Sequence, residues 1–384
     1  MKLAYVSDQR YYKFENDWYT AATFPLEELS LALNCNEWCF FGRLIELEKI
    51  DQSLHKIVIP LNLKVTFKGV NTNGENTKRF KMIWKFKDLI YNLSQISNKY
   101  DIYYLKLPFI ASIVFSLMIK NKESHIVLTQ LVGDPEMAIT ATMGKKYKLF
   151  AKIFAKFCRI SIKRSDYALF VSENLMNKYS GTHNNAYVLN ESRVRDSYIS
   201  EPKKCLNTSK IKILYLGRLS PEKNIESIIE TLYTFKFDKE IQFDIYGSGP
   251  LEGKLKSMIN KNGLKNSVNI KGKIQWSEEL FNIINNYTVL ILPSETEGLP
   301  LVLIEAMSQG VPCIASDIGG IPEIIQNGYN GYLIKPGNIN EIKKALEEVI
   351  ESPDKYVELS ENCILTAKQF TLESQMKKLE NLFY

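Results

Sequence analysis

The chain has 384 residues, a length that predicts two domains rather than one. Hydrophobic residues make up 45% of the chain and charged residues 24%, a composition that is typical of a globular protein with ample core. This composition excludes a disordered or low-complexity chain. The formal net charge of +6 is compatible with anionic small molecules or an anionic surface, and by itself it does not indicate nucleic acid as a partner.

The opening MKLAYVSD lacks the regions of a signal peptide, and the longest apolar run, residues 107–119, is too short to span a bilayer. We therefore expect a cytoplasmic protein. The six cysteines are scattered without a C-x2-C pair, and the chain has only three histidines. Neither a disulfide framework nor a metal site is predicted.

The first half of the chain alternates predicted strands with predicted helices. The predicted strands cover residues 2–7, 38–41, 56–59, 102–106 and 126–130, and the predicted helices cover residues 25–33, 78–98 and 108–121. A polar loop rich in aromatic residues, 8–23, separates the first strand from the first helix. This alternation predicts a doubly wound parallel sheet of the α/β class, in which ligands bind at the carboxyl ends of the strands.

Residues 145–164 contain eight basic residues and no acidic one. The basic residues that recur at helical spacing on one face are Lys145, Lys148, Lys152, Lys156, Arg159 and Lys163. Leu149, Ile153, Phe157 and Ile160 follow the same rhythm on another face. This pattern predicts a basic amphipathic helix that lies on anionic lipid at the inner face of the cytoplasmic membrane. The alternative is an ordinary helix that covers the sheet and has a solvated basic face.

The chain loses its periodicity over a polar stretch, residues 190–210, that contains Pro202. We therefore predict a first domain over residues 1–195 and a linker over 196–210. The second domain is predicted over residues 211–365, and a final helix over 366–384.

The second domain begins with a strand, 211–216, and continues as G-R-L-S-P-E-K-N, residues 217–224. A strand, a glycine turn at Gly217 and the beginning of a helix together predict an anion site. Arg218 supplies a planar fork of donors and Lys223 a point charge, the two kinds of cation that a diphosphate requires. The next strand ends in Gly247-Ser248-Gly249-Pro250, where the missing side chains allow a nucleotide to lie against the backbone.

The most informative stretch covers residues 293–323, PSETEGLPLVLIEAMSQGVPCIASDIGGIPE. A buried strand ends at Pro293, and a turn through Glu297 and Gly298 opens a predicted helix. Backbone N–H groups at Gly298 and Leu299 are suited to a phosphate. Glu305, eight positions after Glu297, is better placed to accept hydrogen bonds from a ribose diol than to face a phosphate.

The pattern E-G-L-P-x4-E, followed by G-V-P and S-D-I-G-G-I-P-E, resembles the Glu-x7-Glu signature of the retaining glycosyltransferases of family 4. The motif G-R-L-S-x-E-K-N is similar to one that the family shares almost letter for letter. The resemblance implies the GT-B fold, in which two Rossmann-like doubly wound parallel-sheet domains face a cleft. It also implies that the final helix crosses back to the first domain.

By this resemblance the second domain binds a nucleotide-diphosphate sugar, with a UDP-sugar as the expected donor and no cofactor or metal. Arg218 and Lys223 would hold the diphosphate as it leaves, and main-chain atoms near Ile274 would hold the base. Glu297 is expected to contact hydroxyls of the donor sugar rather than to act as a nucleophile. The acceptor, a glycan or a lipid-linked glycan, would bind to the first domain, and the configuration at the anomeric carbon would be retained.

The first domain departs from the family pattern in two places. The first loop, residues 19–25, lacks the usual pair of glycines, and no histidine follows the strand at 126–130. Asp134, in V-G-D-P, is the candidate that replaces this histidine as a catalytic residue, or else it caps a turn before Pro135. The string K-F-x3-W-Y-T-x3-F-P, with V-G-D-P, resembles a subgroup that builds bacterial surface polysaccharides and capsules.

Other functions would each require particular features of the sequence. A GT-B nucleotide-sugar epimerase would need further acid and base residues, and a Rossmann dehydrogenase would need G-x-G-x-x-G after its first strand, where the chain has Ser7-Asp8-Gln9-Arg10. A glycosidase would need two carboxylates at one anomeric centre. A catalytically silent GT-B subunit that binds a partner transferase stays open because of the departures in the first domain.

Overall fold

The computed structural model describes residues 1–21, 24–51, 54–72, 86–119, 124–206 and 209–383. The chain divides into two compact units. The first consists of Met1–Leu189 and Met376–Tyr384, and the second of Asn190–Gln375. The predicted linker, residues 196–210, therefore belongs to the second unit. Residues 190–195, which were predicted to end the first domain, and residues 366–375 of the predicted final helix belong to it as well.

The strands of the first unit are β1 (Lys2–Phe14), β2 (Asp17–Thr20), β3 (Glu37–Glu46), β4 (His55–Lys56), β5 (Lys64–Asn71), β6 (Ile102–Leu107), β7 (Ile126–Leu131), β8 (Tyr167–Phe170) and β9 (Ala186–Val188). Its helices are α1 (Leu26–Ala32), α2 (Phe86–Ser94), α3 (Ile110–Met118), α4 (Pro135–Met143), α5 (Lys148–Lys163) and α6 (Glu173–Tyr179). The part of the predicted helix 78–98 that precedes Phe86 lies outside the described residues.

The sheet of the first unit is parallel except at one strand. Strands β5, β3, β1, β6, β7, β8 and β9 follow one another in that order, each parallel to its neighbours. Strand β2 is antiparallel to β1 and to β4. The predicted parallel sheet is confirmed, and the order of the strands reverses between β1 and β6.

The prediction of a loop over residues 8–23 is wrong for most of that segment. Strand β1 continues to Phe14 and forms a hairpin with β2, with Tyr12 opposite Tyr19. Aromatic packing holds the hairpin in place, because the Trp18 ring stacks on Phe67 with 4.2 Å between centroids. Phe67 belongs to β5, a strand that the sequence analysis missed although its alternation of residues is typical of one.

The second unit contains a six-stranded sheet in which every pair is parallel. Its strands are β10 (Lys210–Leu216), β11 (Glu240–Tyr246), β12 (Val268–Gly272), β13 (Val289–Leu292), β14 (Cys313–Ser316) and β15 (Gly331–Ile334). Its helices are α7 (Glu226–Thr234), α8 (Glu252–Lys261), α9 (Glu278–Ile284), α10 (Leu301–Met307), α11 (Ile339–Ile350) and α12 (Pro353–Gln369). Helix α13 (Leu372–Glu380) begins in this unit, and its last residues belong to the first unit.

The strand order in the second unit is β12-β11-β10-β13-β14-β15. This is the order of dinucleotide-binding α/β domains, and it reverses between β10 and β13. These two central strands are fully buried at Ile213, Val289 and Ile291, because helices cover both faces of the sheet. A parallel sheet with this order binds its ligands beyond the carboxyl ends of the strands at the reversal.

Candidate functional site

The reversal point of the second unit brings together the two predicted phosphate-binding turns. Strands β10 and β13 are adjacent and parallel, with Leu214 opposite Leu290. Their carboxyl ends therefore lie side by side, and each is followed by a turn, residues 217–223 after β10 and 293–300 after β13. Lys223 and Glu297, which are 74 positions apart in the sequence, meet across these turns.

An ion pair joins Lys223 to Glu297. The Nζ atom of Lys223 lies 2.6 Å from Oε1 of Glu297, and the two side chains are only 15% and 10% exposed. The hydroxyl of Ser294 donates to the same carboxylate oxygen at 2.7 Å. An ammonium group has three donors, so Lys223 keeps two for a ligand. Ser294 is a site residue that the sequence analysis missed, although it directly follows the strand end.

Arg218 lies in the turn after β10, and its side chain is 77% exposed. One of its terminal nitrogens contacts Oε1 of Glu222 at 3.2 Å, and Ser220 donates to the same oxygen at 2.7 Å. Burial alone would raise the pKa of Glu222. The hydrogen bond from Ser220 and the charges of Arg218 and Lys223 outweigh burial and lower that pKa. The guanidinium is therefore held at the surface of the turn with most of its donors facing solvent.

Close backbone contact explains the glycines of this edge. A Cβ atom on Gly247 would lie 1.9 Å from the carbonyl oxygen of Gly217, and one on Gly249 would lie 2.3 Å from that of Leu219. The N–H of Leu219 donates to the carbonyl of Ser248 at 3.0 Å. The glycines of the G-x-G-P loop thus let two backbone turns pack against each other. Their predicted contact with a nucleotide stays a prediction.

The Gly319-Gly320 loop supports the turn that carries Glu297. Gly319 has a φ of +56°, and a Cβ there would lie 2.2 Å from the carbonyl oxygen of Glu297. The N–H of Gly320 donates to the carbonyl of Gly298 at 2.8 Å. Leu299 is half-buried and packs against the core. The loop therefore fixes the backbone on which Glu297 is displayed.

Glu305 lies inside α10 and is 5% exposed. The indole N–H of Trp276 donates to its Oε1 atom at 3.1 Å. Burial raises the pKa of Glu305, against the opposing effects of the Arg193 charge and of the bond from Trp276. Trp276 follows Ile274 in the segment after β12, and both side chains pack against the core. The predicted base-binding segment and the predicted ribose ligand are thus in direct contact through Trp276, which sequence reasoning did not single out.

Asp134 performs the capping role that the sequence left open. It is the N-cap of α4, and its Oδ1 atom accepts from the N–H groups of Glu136 and Met137 at 2.8 and 3.2 Å. Lys178 and the Tyr179 hydroxyl also donate to this carboxylate, at 2.7 and 2.9 Å. Burial would raise the pKa of Asp134, but these bonds together lower it. No proton transfer is assigned to a carboxylate that four donors hold ionised.

The reversal point of the first unit is occupied by a carboxylate of the chain itself. Asp8 lies in β1, two residues beyond the last pair of β1 with β6. It accepts hydrogen bonds from the N–H groups of Ile110 and Ala111 at 2.8 and 3.0 Å. These groups open helix α3, the place where an anionic ligand would otherwise bind. An internal anion therefore occupies this edge of the first unit.

Helix α5 has three faces instead of the two that the sequence predicted. A face of small and apolar residues covers the sheet, namely Ala151, Ala155, Cys158, Ser161 and Ile162. The basic residues Lys148, Lys152, Lys156, Arg159 and Lys163 are all exposed, and the side chain of Lys145 lies outside the described residues. Leu149, Ile153 and Phe157 are 72%, 48% and 41% exposed. The apolar strip is therefore not needed for the core.

In the described part of the chain, no helix is both long and apolar enough to span a bilayer. The same residues contain no group of three or more His, Cys, Asp or Glu side chains arranged to hold a metal ion.

Most of the second unit is similar to a known protein family. Residues 199–369 match the family model described as "Glycosyl transferases group 1". The alpha-D-kanosaminyltransferase of Streptomyces kanamyceticus is 29% identical over 173 residues, which cover 44% of this chain and 45% of that protein. The UDP-Gal:alpha-D-GlcNAc-diphosphoundecaprenol alpha-1,3-galactosyltransferase of Escherichia coli is 30% identical over 176 residues, which cover 44% of each. The matches thus span less than half the length of these relatives.

Solved structures extend the likeness to the whole fold. Sucrose-phosphate synthase from Thermosynechococcus elongatus has a TM-score of 0.74 at 16% identity, with 100% of this chain and 98% of that chain covered. At this identity the likeness shows the fold alone. The predicted GT-B fold is confirmed, with its two parallel-sheet α/β units, and residues 199–369 are similar to the glycosyl transferases of group 1.

Proposed function

We propose that the protein is a glycosyltransferase that moves a sugar from a nucleotide-diphosphate sugar to a glycan or a lipid-linked glycan acceptor. The observation that carries this proposal is the contact of Lys223 with Glu297 at the reversal point of the second unit, with Arg218 in the same turn as Lys223. Two cations beside a turn of backbone amides suit a diphosphate, and the partly buried carboxylate suits a sugar hydroxyl. The match of residues 199–369 to group 1 supports the same reaction class.

Catalysis in this proposal is electrostatic. As the glycosidic bond to the diphosphate breaks, negative charge grows on the departing phosphate and positive charge grows at the anomeric carbon. Lys223 and Arg218, with the amides of Gly298 and Leu299, would stabilise the first of these charges. Lys223 is already held in place by Glu297. Because its position is set before the ligand arrives, little reorganisation is needed during the reaction.

Glu297 is suited to orient the donor sugar. Its Oε1 atom is engaged by Lys223 and Ser294, whereas Oε2 has no hydrogen-bond partner in the described part of the chain. A carboxylate neutralised by a lysine at 2.6 Å is a weak nucleophile and a good acceptor of hydrogen bonds from hydroxyls. We therefore assign it contacts with donor-sugar hydroxyls. This assignment agrees with transfer that retains the anomeric configuration without a metal, as the family 4 resemblance implies.

A uridine nucleotide is the donor that we propose. Glu305 would accept hydrogen bonds from the two ribose hydroxyls, and main-chain atoms near Ile274 would hold the base. Trp276 joins these two features by its bond to Glu305. The Escherichia coli relative carries UDP-Gal in its name, and its acceptor there is a diphosphoundecaprenol-linked sugar. This name supports both the base and a lipid-linked acceptor in surface polysaccharide synthesis.

We further propose that α5 rests on the anionic inner face of the cytoplasmic membrane. Five exposed basic residues lie beside Leu149, Ile153 and Phe157, whose side chains are exposed although they are large and apolar. Each basic residue near such a surface contributes on the order of 1 kcal/mol, and the apolar strip adds the burial of hydrocarbon. A lipid-linked acceptor would be found at this surface.

A second candidate function is supported by two features of the first unit. Asp8 occupies the anion-binding end of α3, and the hairpin β1–β2 replaces a glycine-containing loop. Both features suit a catalytically silent subunit that binds nucleotide but serves a partner transferase. Such a subunit would bind a nucleotide sugar without turning it over.

A thermal-shift panel of UDP, GDP, ADP and CMP sugars tests the proposal, followed by a hydrolysis assay with any donor that binds. A ligand that binds only the folded state raises the melting temperature by mass action. The transferase proposal expects one uridine sugar to stabilise the protein and to be hydrolysed slowly. Stabilisation without any hydrolysis or transfer would favour the silent subunit, and no stabilisation by any nucleotide would contradict both.

A further inference from the structure

A polar hollow lies in the first unit, whereas the site described above lies in the second unit. Its volume is about 660 Å³, within the range of small-molecule sites. It is lined by the end of α5, the end of α6 and the segment before β9, including Arg159, Lys163, Lys178, Tyr179 and His183. Residues 165–166 precede β8 and 184–185 precede β9, so it opens at the amino ends of these strands. Ligands of doubly wound sheets bind at the opposite edge.

Two cations of the hollow have no carboxylate partner. Neither Arg159 nor Lys163 forms an ion pair in the described part of the chain, whereas Lys178 is paired with Asp134 at 2.7 Å. The guanidinium of Arg159 lies over the Tyr179 ring, with 4.6 Å between its carbon and the ring centroid. The Tyr179 hydroxyl is in turn held by Asp134. Arg159 is thus positioned by packing, and the donors at the edge of its plane remain available.

Hydrogen bonds within the chain also fix the other side chains that line the hollow. His183 contacts the carbonyl of Ser165 through Nε2 at 2.9 Å, and its Nδ1 atom accepts from the N–H of Asn185 at 3.2 Å. The one carboxylate that lines the hollow, Asp166, accepts from the N–H of Val127 at 2.7 Å. Ser180, Thr182 and Asn184 add hydroxyl and amide groups. The lining therefore combines two cations that have no carboxylate partner with the paired Lys178, the carboxylate of Asp166 and several neutral hydrogen-bonding groups.

The ends of α5 and α6 do not explain this charge by themselves. The carboxyl end of a helix attracts cations, which accounts for Lys163 and Lys178, the basic residues in the last turns. Arg159 lies one turn further back, and its stacking on Tyr179 turns it toward the hollow. A fork of donors beside an ammonium group is the arrangement that binds phosphate oxygens.

We propose that this hollow binds the phosphate group of a headgroup, either of a membrane lipid or of a soluble phosphate ester. Arg159 and Lys163 bind the phosphate oxygens, and the hydroxyl and amide groups bind the polar remainder. Both cations also belong to the exposed basic face of α5. The choice of a lipid source rests on the proposed membrane contact of α5, whereas the phosphate site itself does not depend on it or on glycosyl transfer.

The test uses the His183 ring as a reporter. Because the chain has only three histidines, its ring signals in a ¹H–¹³C NMR spectrum can be assigned with the variant His183→Gln. Glycerol 3-phosphate and inorganic phosphate represent the soluble source, and nanodiscs of phosphatidylglycerol, compared with phosphatidylcholine, represent the lipid. We expect a saturable shift of the His183 signals, with the signals of His125 unchanged.

Matched variants separate the hollow from general charge. Lys163→Gln is expected to weaken phosphate binding at His183 roughly tenfold, since a bond to a charged group is lost. Lys99→Gln removes the same charge from an exposed position of the first unit, outside both the hollow and α5, and should leave the binding unchanged. Arg159→Lys keeps the charge and loses the fork, so its loss should be smaller than that of Arg159→Gln.

The outcomes distinguish a soluble from a lipid source of the phosphate. A response to the soluble phosphates identifies a soluble ester as the source, and a response to phosphatidylglycerol alone identifies a lipid headgroup. If the His183 signals move with neither, or move equally in Lys163→Gln and Lys99→Gln, the proposal is wrong. Donor hydrolysis is measured on the same samples. A failure of hydrolysis with a normal His183 response concerns the proposed function and not this site.

Discussion

The Nζ atom of Lys223 lies 2.6 Å from Oε1 of Glu297, which joins the two motifs of the second unit that point to a diphosphate sugar. The pair exists because β10 and β13 are adjacent and parallel, so that the turns after them lie side by side. It gives the lysine a fixed position and leaves two of its donors for a ligand. Replacement of either residue therefore removes the partner that fixes the side chain of the other.

Replacement of Lys223 by alanine is expected to abolish transfer while the protein stays folded. The change removes a charge from the proposed diphosphate site and leaves Glu297, which is 10% exposed, without its cation. Loss of one such stabilising group lowers kcat by about 10² to 10³. Donor hydrolysis and circular dichroism measure the two effects. Lys256→Ala, in an exposed pair with Glu252, is the control, and near-normal activity of Lys223→Ala would remove the diphosphate assignment.

Replacement of Glu305 by glutamine is expected to raise the melting temperature of the ligand-free protein at neutral pH. Because burial raises the pKa of Glu305 in the folded state, the folded protein binds its proton more tightly than the unfolded chain does. Stability therefore falls as the pH rises from the ordinary pKa of 4.5 through the raised one, and glutamine abolishes this loss.

The same variant should bind the nucleotide sugar roughly ten times more weakly, because glutamine no longer offers a charged acceptor to the ribose hydroxyls. Melting curves at several pH values, with and without the donor, measure both effects. Trp276→Phe removes the indole N–H that donates to Glu305, and it is also expected to weaken binding of the nucleotide sugar. A Glu305→Gln variant with unchanged donor affinity would show that Glu305 is only a buried core residue.

Replacement of Gly319 by alanine is expected to destabilise the protein by about 2 kcal/mol or more and to reduce turnover. The new Cβ would lie 2.2 Å from the carbonyl oxygen of Glu297 at a φ of +56°, so the turn that displays Glu297 must move. Gly253→Ala, on helix α8, is the matched control, since a Cβ there meets no atom within 4 Å. Urea unfolding and donor hydrolysis of the two variants are compared. Equal behaviour of both would contradict a supporting role for the Gly319 loop.

Replacement of Asp134 distinguishes its capping role from a catalytic one. Asp134→Ala is expected to cost about 1 to 2 kcal/mol of stability, and Asp134→Ser to recover part of it, because serine also caps a helix. The pKa of Asp134 is lowered in the folded state, so its contribution is present above the ordinary value of 3.8 and is lost as the pH falls through the lowered one. A stable Asp134→Ser enzyme without activity would instead support catalysis by the carboxylate.

Replacement of Leu149 and Ile153 by serine is expected to weaken binding to phosphatidylglycerol vesicles by about tenfold or more, without loss of stability. Each side chain is largely exposed, so its hydrocarbon can be buried only against another surface. Leu365→Ser, an exposed leucine of the second unit, is the control. Flotation at increasing salt measures the basic contribution. If wild-type protein floats no better with anionic than with neutral vesicles, the membrane proposal fails.

The elements that the sequence predicted best are those whose residues are constrained by local chemistry. Buried runs such as 211–216 and glycine turns such as 217–224 can be read from neighbouring residues alone, and they lie where expected. The hairpin β1–β2 was missed because its polar and aromatic residues look like a loop. Only the packing of Tyr11 and Trp18 on distant Phe67 shows why they form strands.

The sequence by itself determined the alternation of strands and helices, the two turns that we expect to bind phosphate and the residue types of the proposed diphosphate-sugar site, because backbone conformation and charge are local properties. The tertiary structure decided which groups meet. It paired Lys223 with Glu297, Trp276 with Glu305 and Asp8 with the start of α3, and it left the apolar strip of α5 exposed. Contacts of this kind depend on strand order and on burial, and neither follows from the spacing of residues along the chain.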